Sequence, residues 1–498
     1  MKKAPKKPNI LFCIADDASR EHMQAYGLTD WVRTPGFDRI AKEGLLFMNA
    51  YTPNAKCSPS RAAILTGRNP WQLEEAGNHN PFFPAKFTTV VEALSFNGYK
   101  VGYTGKGWSP GHPGTVGGKV RQLTGPAYNK IKTQAPTRAM FTTDYTANFE
   151  AFLNERKGDV PFFFWYGGFE PHRPYEYGSG VAKGEKKTAD IDKVPDYWTD
   201  SEPVRNDMLD YGYELEYFDS HLLQMIQLLE KRGELENTII VVTSDNGMPF
   251  PRVKGHVYEA ANHLPLAVMW KNHILHTGRK IEDYISFIDL APTFLELAGV
   301  TFNASSMQPL EGRSFVDILS SRQNESLIDR RRDHVLVGRE RTDAGRPHNQ
   351  GYPVRGIVKN GFIYTRNYEP ERWPSGNPET GFKDVDNGPT KTALLKANEE
   401  GKSTKLWELS FGKRPAEELY HIITDTFCVT NLAADKKYAQ VLIQMRKQME
   451  QELVKQHDPR VLGNGAIFDT YPFAKPEAQD YYERFMKGEI KKREAVED

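Results

Sequence analysis

The sequence predicts a doubly wound α/β domain, a sheet flanked by helices, followed by a smaller C-terminal α+β domain. Three observations predict it. Short apolar segments alternate with helical patterns through roughly the first 300 residues, several of the apolar segments end in polar residues, and the pattern changes after Gly351. A chain of 498 residues is also too long for one ordinary core. We therefore predict one domain over residues 1–350 and a second over 351–498.

The elements of the first domain follow one another in a regular order. The segment that begins at Asn9 is a short apolar run typical of a buried parallel strand, and it ends in Asp16 and Asp17. Helices, several ended by glycine, then alternate with strands in "TPGFDRIAKEGLLF", "TTVVEALSFNGYKVGYTGKG", "VPFFFWYGGFEPHRP", "RNDMLDYGYELEYFDSHLLQMIQLLEKRGELENTIIVVTSDNG", "HLPLAVMW" and "SFIDLAPTFLELAGV".

The second domain has a different pattern. "GIVKNGFIYTRNY" predicts two short strands around an Asn-Gly turn. "ERWPSGNPETGFKDVDNGPT" predicts a polar loop, and "KYAQVLIQMRKQMEQELVKQ" predicts a helix. The last ten residues, "EIKKREAVED", predict a solvated tail.

Composition excludes some classes of partner. Lys+Arg and Asp+Glu each number 65, so the net charge is zero, and such a chain has no global attraction to nucleic acid or to an anionic membrane. No apolar run has the length of a membrane span. The three cysteines cannot form a disulfide framework, and Cys13 and Cys428 are predicted to be structural. The sequence leaves open whether the protein is cytosolic or has lost a leader.

Polar residues follow several of the predicted strands. In a doubly wound sheet, ligands bind outside the carboxyl ends of the strands, so we expect these residues to meet at one edge: Asp16, Asp17, Lys106, His172, Asp245 and Asn246. Adjacent carboxylates repel each other unless a cation lies between them, and oxygen ligands without a His/Cys cluster favour Ca²⁺ or Mg²⁺. The alternative is a pair of solvated loop acids and an Asn-Gly turn.

Cys57 lies in surroundings that do not suit a structural cysteine. Its segment, "AKCSPSRAAILTGR", is polar, cationic and contains a proline. A thiolate is a soft ligand and a poor match for a hard, oxygen-liganded metal. A thiolate nucleophile would need a nearby His base, and none is close in the sequence.

The segment "CSPSRAAILTGR" resembles the signature of the type I sulfatases, C-x-P-x-R followed by a Leu-Thr-Gly element. The resemblance implies an alkaline-phosphatase-like fold. It also implies that a formylglycine-generating maturation enzyme oxidises Cys57 to Cα-formylglycine. The hydrate of that aldehyde has two hard hydroxyls, one to ligate Ca²⁺ and attack sulfur, the other to let sulfate leave.

Within the family, the chain most resembles the heparan N-sulfatase (sulfamidase) branch, through segments such as "FEPHRP" and "TSDNGMPFPRVKG". The resemblance implies that Arg61 holds the formylglycine hydrate, that Lys106 and Lys254 contact sulfate oxygens, and that His172 protonates the leaving group. Each of these last three, taken alone, is more typical of a solvated loop residue. The implied ligands of Ca²⁺, with Mg²⁺ the second choice, are Asp16, Asp17, Asp245, Asn246 and modified Cys57.

Substrate-binding residues follow from the same matches. Glu170 and Arg173 flank His172, and Arg355 lies in the matching segment "GYPVR", so the resemblance implies that all three contact substrate. One position departs from the family pattern. Many relatives have a His two residues after the lysine of "GK", whereas this chain has Trp108, and we predict a substrate-packing role for it.

The function implied by the resemblance is hydrolysis of a sulfated glycan, most like N-sulfoglucosamine sulfohydrolase. Three alternatives stay open: a carbohydrate O-sulfatase, a phosphomonoesterase or phosphonate hydrolase on the same fold, and a non-catalytic protein that binds sulfated glycans. Because sulfated glycans lie outside the cytosol, a periplasmic or secreted location is expected.

Overall fold

The computed structural model describes residues 7–490, so most of the predicted charged tail lies outside the described residues. The strands of the described chain are β1 (Asn9–Ala15), β2 (Leu45–Tyr51), β3 (Lys100–Gly105), β4 (Thr115–Val116), β5 (Lys119–Val120), β6 (Phe162–Gly167), β7 (Thr238–Ser244), β8 (Leu266–Trp270), β9 (Arg279–Ser286), β10 (His334–Arg339), β11 (Val354–Lys359), β12 (Phe362–Asn367) and β13 (Glu417–His421).

The α-helices of the same residues are α1 (Pro35–Glu43), α2 (Cys57–Thr66), α3 (Val90–Phe96), α4 (Tyr145–Asn154), α5 (Ser179–Ala182), α6 (Glu202–Lys231), α7 (Glu259–Asn262), α8 (Leu290–Leu297), α9 (Phe302–Ser305), α10 (Val316–Leu319), α11 (Pro389–Glu399), α12 (Thr404–Phe411), α13 (Ala439–Lys455), α14 (Ile467–Thr470) and α15 (Tyr481–Met486). None of them is long and apolar enough to cross a membrane.

The larger sheet has seven strands in the order β3-β6-β1-β7-β8-β2-β9, which confirms the predicted α/β fold. It is mixed, because β8 runs antiparallel to both of its neighbours. Thr243 near the end of β7 pairs with Leu266 at the start of β8, so the connecting segment stays at one edge of the sheet and β8 runs back from it.

Helices cover both faces of this sheet. Alternate residues of β1 enter different cores: Leu11 and Cys13 pack on the side of α4 and α6, and Phe12 packs on the side of α3 and α8. Every residue of β1 is buried, as its continuous apolar pattern predicts. The buried strands therefore hold their carboxyl ends in fixed positions at one edge.

The smaller sheet is antiparallel, in the order β10-β11-β12-β13, and α13 packs against it. The predicted Asn-Gly hairpin is present, with positive φ at both Asn360 and Gly361. Strand β10 belongs to this sheet although it precedes residue 351, and the boundary after residue 350 stays a prediction. Leu394 of α11 and Phe411 of α12 pack into a core of the larger sheet.

Candidate active site

Four neighbouring strands bring the predicted site residues to one edge of the larger sheet. In the spatial order β3, β6, β1 and β7, these strands are followed along the chain by Lys106, by His172, by Asp16 with Asp17, and by Asp245 with Asn246. Helix α2 begins at the same edge with Cys57 as its first residue. The sequence prediction that these residues converge is therefore confirmed by their positions.

Close contact between strand ends fixes the position of Lys106. A Cβ on Gly105 would lie 1.9 Å from the carbonyl oxygen of Gly167, so only glycine allows this approach of β3 to β6. The backbone N–H of Lys106 donates to the same carbonyl at 2.6 Å. The lysine side chain is thereby directed from the end of β3 towards the end of β1.

The centre of the site is a buried cluster of Asp16, Asp17 and Cys57. One ligand atom from each of the three lies within 4.8 Å of the others. The Cys57 Sγ is 3.6 Å from Asp16 Oδ1 and 3.9 Å from Asp17 Oδ1. Asp17 is at most 1% exposed and has a φ of 77°, a left-handed conformation that non-glycine residues rarely adopt.

Arg61, one turn along α2 from Cys57, neutralises part of this charge. It is fully buried, and its Nε donates to Asp245 Oδ2 at 2.8 Å. Its two terminal nitrogens reach the carbonyl oxygens of Lys106 and Gly107 and, at 3.4 Å, Asp16 Oδ1. The Arg61 guanidinium therefore ties together the ends of β1, β3 and β7.

Two lysines complete the charge balance, each paired with a different aspartate of the cluster. Lys106 Nζ lies 2.6 Å and 2.8 Å from the two oxygens of Asp16. Lys254 Nζ lies 2.7 Å from Asp17 Oδ2 and 3.1 Å from Asp386 Oδ2. Burial lowers the pKa of each lysine, but the facing carboxylates outweigh burial and raise both pKa values above the ordinary one. Both side chains therefore stay charged.

His172 lies at the mouth of the cluster. Its Nε2 is 3.9 Å from Asp17 Oδ2, and its Nδ1 is 2.6 Å from the carbonyl oxygen of Arg173. Because a carbonyl can only accept, the Nδ1 carries the proton and the Nε2 faces the cluster. Arg173 is itself fixed by a two-bond pair with Asp207, each bond 2.7 Å long.

The thiol as encoded is not a ready nucleophile. Cys57 is 1% exposed, and burial raises the pKa of its thiol well above the ordinary value. The ammonium groups of Lys106 and Lys254 lower this pKa and the carboxylates of Asp16 and Asp245 raise it, but burial is the largest influence. A neutral, buried thiol next to two carboxylates agrees with a residue that needs modification before it reacts.

A cavity of about 720 Å³ opens next to the cluster. Of the predicted site residues, His172 and Arg173 line it. Its other polar walls include side chains for which the sequence offered no signal, among them Asp343, Lys383 and Asp386. The predicted polar loop "ERWPSGNPETGFKDVDNGPT" supplies the last two, and its contact with Lys254 is a long-range one that no local pattern encodes.

Glu170 and Trp108 lie next to the site but face inward. Glu170 accepts hydrogen bonds from the Tyr145 hydroxyl and the Phe141 backbone, and burial raises its pKa to about 7. Trp108 Nε1 donates to the carbonyl of Ser58 at 3.1 Å, and its ring packs against Phe83. Neither is among the described residues that line the cavity, so the structure shows both in supporting contacts, and their contacts with substrate stay predictions.

Arg355 is placed differently from its prediction. It is fully buried in the smaller sheet, and its guanidinium is bonded to Asp458, to Glu340 and to two backbone carbonyls. The guanidinium also stacks over the indole ring of Trp71, with its central carbon 4.9 Å from the ring centre. A guanidinium with all of its donors engaged cannot also bind substrate, so the structure corrects Arg355 to a residue that stabilises the smaller sheet.

The donor set fits a hard divalent cation. Asp16, Asp17 and Asp245 offer carboxylate oxygens, and the Oδ1 of Asn246 is buried without a hydrogen-bond partner among residues 7–490. An unpaired buried amide oxygen is costly unless a ligand satisfies it. Carboxylate and amide oxygens suit Ca²⁺ or Mg²⁺ better than softer metals.

Known proteins resemble this chain along most of its length. Residues 8–300 match the family model described as Sulfatase. An ulvan-active sulfatase of Formosa agariphila is 26% identical over 492 residues, covering 91% of this chain and 75% of that protein. The N-sulphoglucosamine sulphohydrolase of Homo sapiens is 26% identical over 493 residues, covering 93% of each.

A solved structure described as a complex with its substrate D-glucosamine-2-N,6-O-disulfate superimposes with a TM-score of 0.64. At 20% identity, over 91% of this chain and 99% of that one, this likeness shows the fold alone. The family model covers more than half of the chain and includes Cys57, Arg61 and the strand-end residues. The protein therefore belongs to the Sulfatase family and is a sulfatase hydrolase.

Proposed function

We propose that the protein removes sulfate from a sulfated saccharide, with N-sulfoglucosamine the first candidate substrate. The observation that carries the proposal is the buried Asp16, Asp17 and Cys57 cluster, with lysines on two sides and a cavity next to it. We further propose that Cys57 is oxidised to formylglycine by a maturation enzyme of the host. Asp16, Asp17, Asp245 and Asn246 would then hold Ca²⁺ together with the modified residue.

The two groups supply complementary chemistry when present: the formylglycine hydrate offers hard hydroxyl oxygens for attack on sulfur, and the cation polarises the oxygens around it. The protein's own residues position and stabilise the sulfate. Lys106 pairs with Asp16 and Lys254 pairs with Asp17, so on binding of a sulfate the two lysines would exchange contacts with these aspartates for contacts with sulfate oxygens. Arg61 orients the ends of three strands and keeps residue 57 in register with them.

His172 is placed to protonate the leaving group. Its Nδ1 is held by the Arg173 carbonyl, which leaves Nε2 to face the cluster and the cavity. An amine or alkoxide leaving group needs a proton as the bond to sulfur breaks, and the imidazolium form of His172 can supply it from Nε2 while Nδ1 keeps its hydrogen bond to the Arg173 carbonyl. The Arg173–Asp207 pair holds the segment that carries His172.

The size of the cavity supports a saccharide substrate. About 720 Å³ falls in the range of pockets that enclose ligands of drug size, which includes a sugar unit or two. The names of the human relative and of the solved complex refer to N-sulfated glucosamine. These names support an N-sulfated glucosamine unit as substrate, and the location of sulfated glycans supports a periplasmic or secreted enzyme.

Sulfate release from defined sugars tests the proposal. Protein from its native host is incubated with N-sulfoglucosamine, with 6-O-sulfated N-acetylglucosamine and with a phosphonate monoester, and the released anion is measured. We expect sulfate from N-sulfoglucosamine and a loss of about 10²- to 10⁴-fold in kcat for His172→Ala. Release from the 6-O-sulfated sugar alone would establish an O-sulfatase, and turnover of the phosphonate alone would contradict the proposal.

Mass analysis of the peptide that contains residue 57 tests the maturation step. The expected mass is that of formylglycine or its hydrate. An unmodified thiol in protein from the native host would favour a non-catalytic protein that binds sulfated glycans. Calcium content, measured on the same preparation after dialysis, is expected to be one ion per chain, and no bound divalent ion would contradict the proposed cofactor.

A further inference from the structure

Asp386 is a residue of the cavity wall that the proposed chemistry does not use. Its side chain is 28% exposed and lines the cavity. Its Oδ2 is buried against Lys254 Nζ at 3.1 Å. Its Oδ1 remains accessible and accepts no hydrogen bond from any of residues 7–490. The cavity therefore contains one carboxylate oxygen that is free to bind a ligand.

The contacts of Lys254 place Asp386 at the sulfate end of the cavity. Lys254 Nζ lies 2.7 Å from Asp17 Oδ2, and His172 Nε2 lies 3.9 Å from the same oxygen. Asp386 and His172 thus both adjoin the reacting cluster, and both line the cavity. The leaving atom of the substrate is bonded to sulfur and takes its proton from His172. It therefore lies at the end of the cavity that Asp386 also borders.

The charge of Asp386 decides which groups it can bind. Burial raises its pKa, but Lys254, Lys56 and His172 lower it more, and together they hold the pKa well below its ordinary value. The side chain is therefore an ionised carboxylate with no hydrogen to donate. A substrate atom that faces Oδ1 must carry a hydrogen of its own.

We propose that Asp386 accepts a hydrogen bond from the N–H of a sulfamate and so selects N-sulfated over O-sulfated sugars. The leaving atom of a sulfamate is a nitrogen with one hydrogen, whereas that of a sulfate ester is an oxygen with lone pairs only. An ionised oxygen attracts the first and repels the second. As His172 protonates the nitrogen, the positive charge that develops is also stabilised by the carboxylate. This role deepens the proposed function and rests on it, because it specifies the bond that the site accepts.

Binding to a matched pair of sugars tests this role. N-sulfoglucosamine and glucose 2-sulfate differ in having an N–H or an oxygen between carbon 2 and sulfur. Calorimetry on the Cys57→Ala protein gives the Kd of both, and of inorganic sulfate, with and without Asp386→Asn. We expect Asp386→Asn to weaken binding of N-sulfoglucosamine about 10- to 100-fold. Glucose 2-sulfate should bind at least as tightly as before, because the amide can donate to the ester oxygen.

Matched variants keep the test decisive. Glu379→Gln is the control, because Glu379 is an exposed acid of the same loop and is not among the described residues that line the cavity. It should leave all three Kd values within about twofold. Asp386→Ala is the second variant, should Asp386→Asn fold poorly, and it should also remove the preference for N-sulfoglucosamine. Inorganic sulfate reports on Lys254 alone, because it has no leaving group.

The outcomes separate this inference from the proposed function. Equal changes for all three ligands would show that Asp386 acts only through Lys254 and would overturn the inference, and so would an unchanged Kd for N-sulfoglucosamine. A preference for N-sulfoglucosamine that depends on Asp386, without release of sulfate once Cys57 is restored and modified, would overturn the proposed function alone. Release of sulfate from N-sulfoglucosamine without such a preference would overturn this inference alone.

Discussion

The carboxyl edge of the larger sheet and the ion-pair cluster of the smaller sheet bury charge in opposite ways. In the smaller sheet, Arg355 binds Asp458 and Glu340, and Glu340 also binds Arg460, so each charged group meets an opposite one. At the edge of the larger sheet, by contrast, Asn246 Oδ1 and both nitrogens of His79 have no hydrogen-bond partner among the described residues.

The difference distinguishes a structural cluster from a functional one. A buried charge cluster whose hydrogen bonds are complete stabilises the fold or breaks even, and it has no capacity left for a ligand. A cluster with unpaired buried atoms still has capacity for a further partner, such as a cation or an ordered water. By this criterion, the cluster around Arg355 is structural and the active site is functional. The family resemblance in the sequence had instead implied a contact with substrate for Arg355 as well.

The largest expected effect is that of removing the side chain of Cys57. Cys57→Ala should lower kcat at least about 10⁴-fold, because the reacting group is lost while its surroundings remain. The thermal midpoint should change little, since the thiol has only long contacts of 3.6 Å and 3.9 Å with the two aspartates. Sulfate release and differential scanning fluorimetry measure the two quantities; a retained kcat would contradict a role for residue 57 in the reaction.

Arg355→Ala should have the opposite pattern, a large loss of stability with little change in the kinetics of the folded protein. Removal of one partner from a buried ion pair costs about 3–5 kcal/mol, so the free energy of unfolding should fall by that amount. The KM of the protein that remains folded should be unchanged. Arg366→Ala is the matched control, because Arg366 pairs with Arg355 across β11 and β12 but forms a partly exposed ion pair with Glu450, worth at most about 1 kcal/mol. A rise in KM for Arg355→Ala alone would restore its predicted contact with substrate.

Glu170 offers a pH-dependent test of its supporting role. Burial raises its pKa from 4.5 to about 7, so the folded protein holds this proton more tightly than the unfolded chain. The resulting stability is fully present below pH 4.5 and is lost as pH rises through about 7. At about 1.4 kcal/mol per unit, the contribution is at most about 3 kcal/mol.

Glu170→Gln should therefore flatten the decline in unfolding free energy between these pH values. Urea unfolding at a series of pH values measures it, with Glu150→Gln, an exposed position on α4, as the control. Parallel pH profiles for Glu170→Gln and the unsubstituted protein would show that Glu170 does not carry this proton.

Trp108→Phe should have the smallest effect of the four. The substitution keeps an aromatic ring against Phe83 but removes the hydrogen bond to the Ser58 carbonyl, worth about 1 kcal/mol. We expect a slightly lower unfolding free energy with an unchanged KM. A KM that rises in Trp108→Phe and further in Trp108→Ala would support the substrate-packing role predicted from the sequence.

Much of the fold and the centre of the site could be predicted from the sequence. Continuous apolar strands that end in polar residues define the sheet edge, so Asp16, Asp17, Lys106, Asp245 and Asn246 were placed together from local patterns. The antiparallel direction of β8 cannot be predicted locally, because an apolar segment of five residues looks the same in either direction. Arg355 was misplaced because a matching segment identifies a relative and not the contacts that a side chain makes.

The walls of the cavity could not be predicted for a different reason. Asp386 meets Lys254 across more than a hundred residues of chain, and His79 meets the Asp343 segment across more than two hundred and fifty. Such contacts depend on how loops cross the sheet edge, and no periodicity or motif in either segment encodes them. Solvated loop charge was therefore the reasonable interpretation of "KDVDNG" from sequence alone.

The division of the cavity along the chain has a consequence for how specificity can change. The residues that surround the sulfate end lie between Asp16 and Lys254, within the region that matches the family model. All the described residues that line the cavity lie beyond residue 342, except Asn80, His172 and Arg173. Sequence changes in the last third of the chain can therefore alter which sugar is accepted. Such changes leave the residues that surround the sulfate untouched.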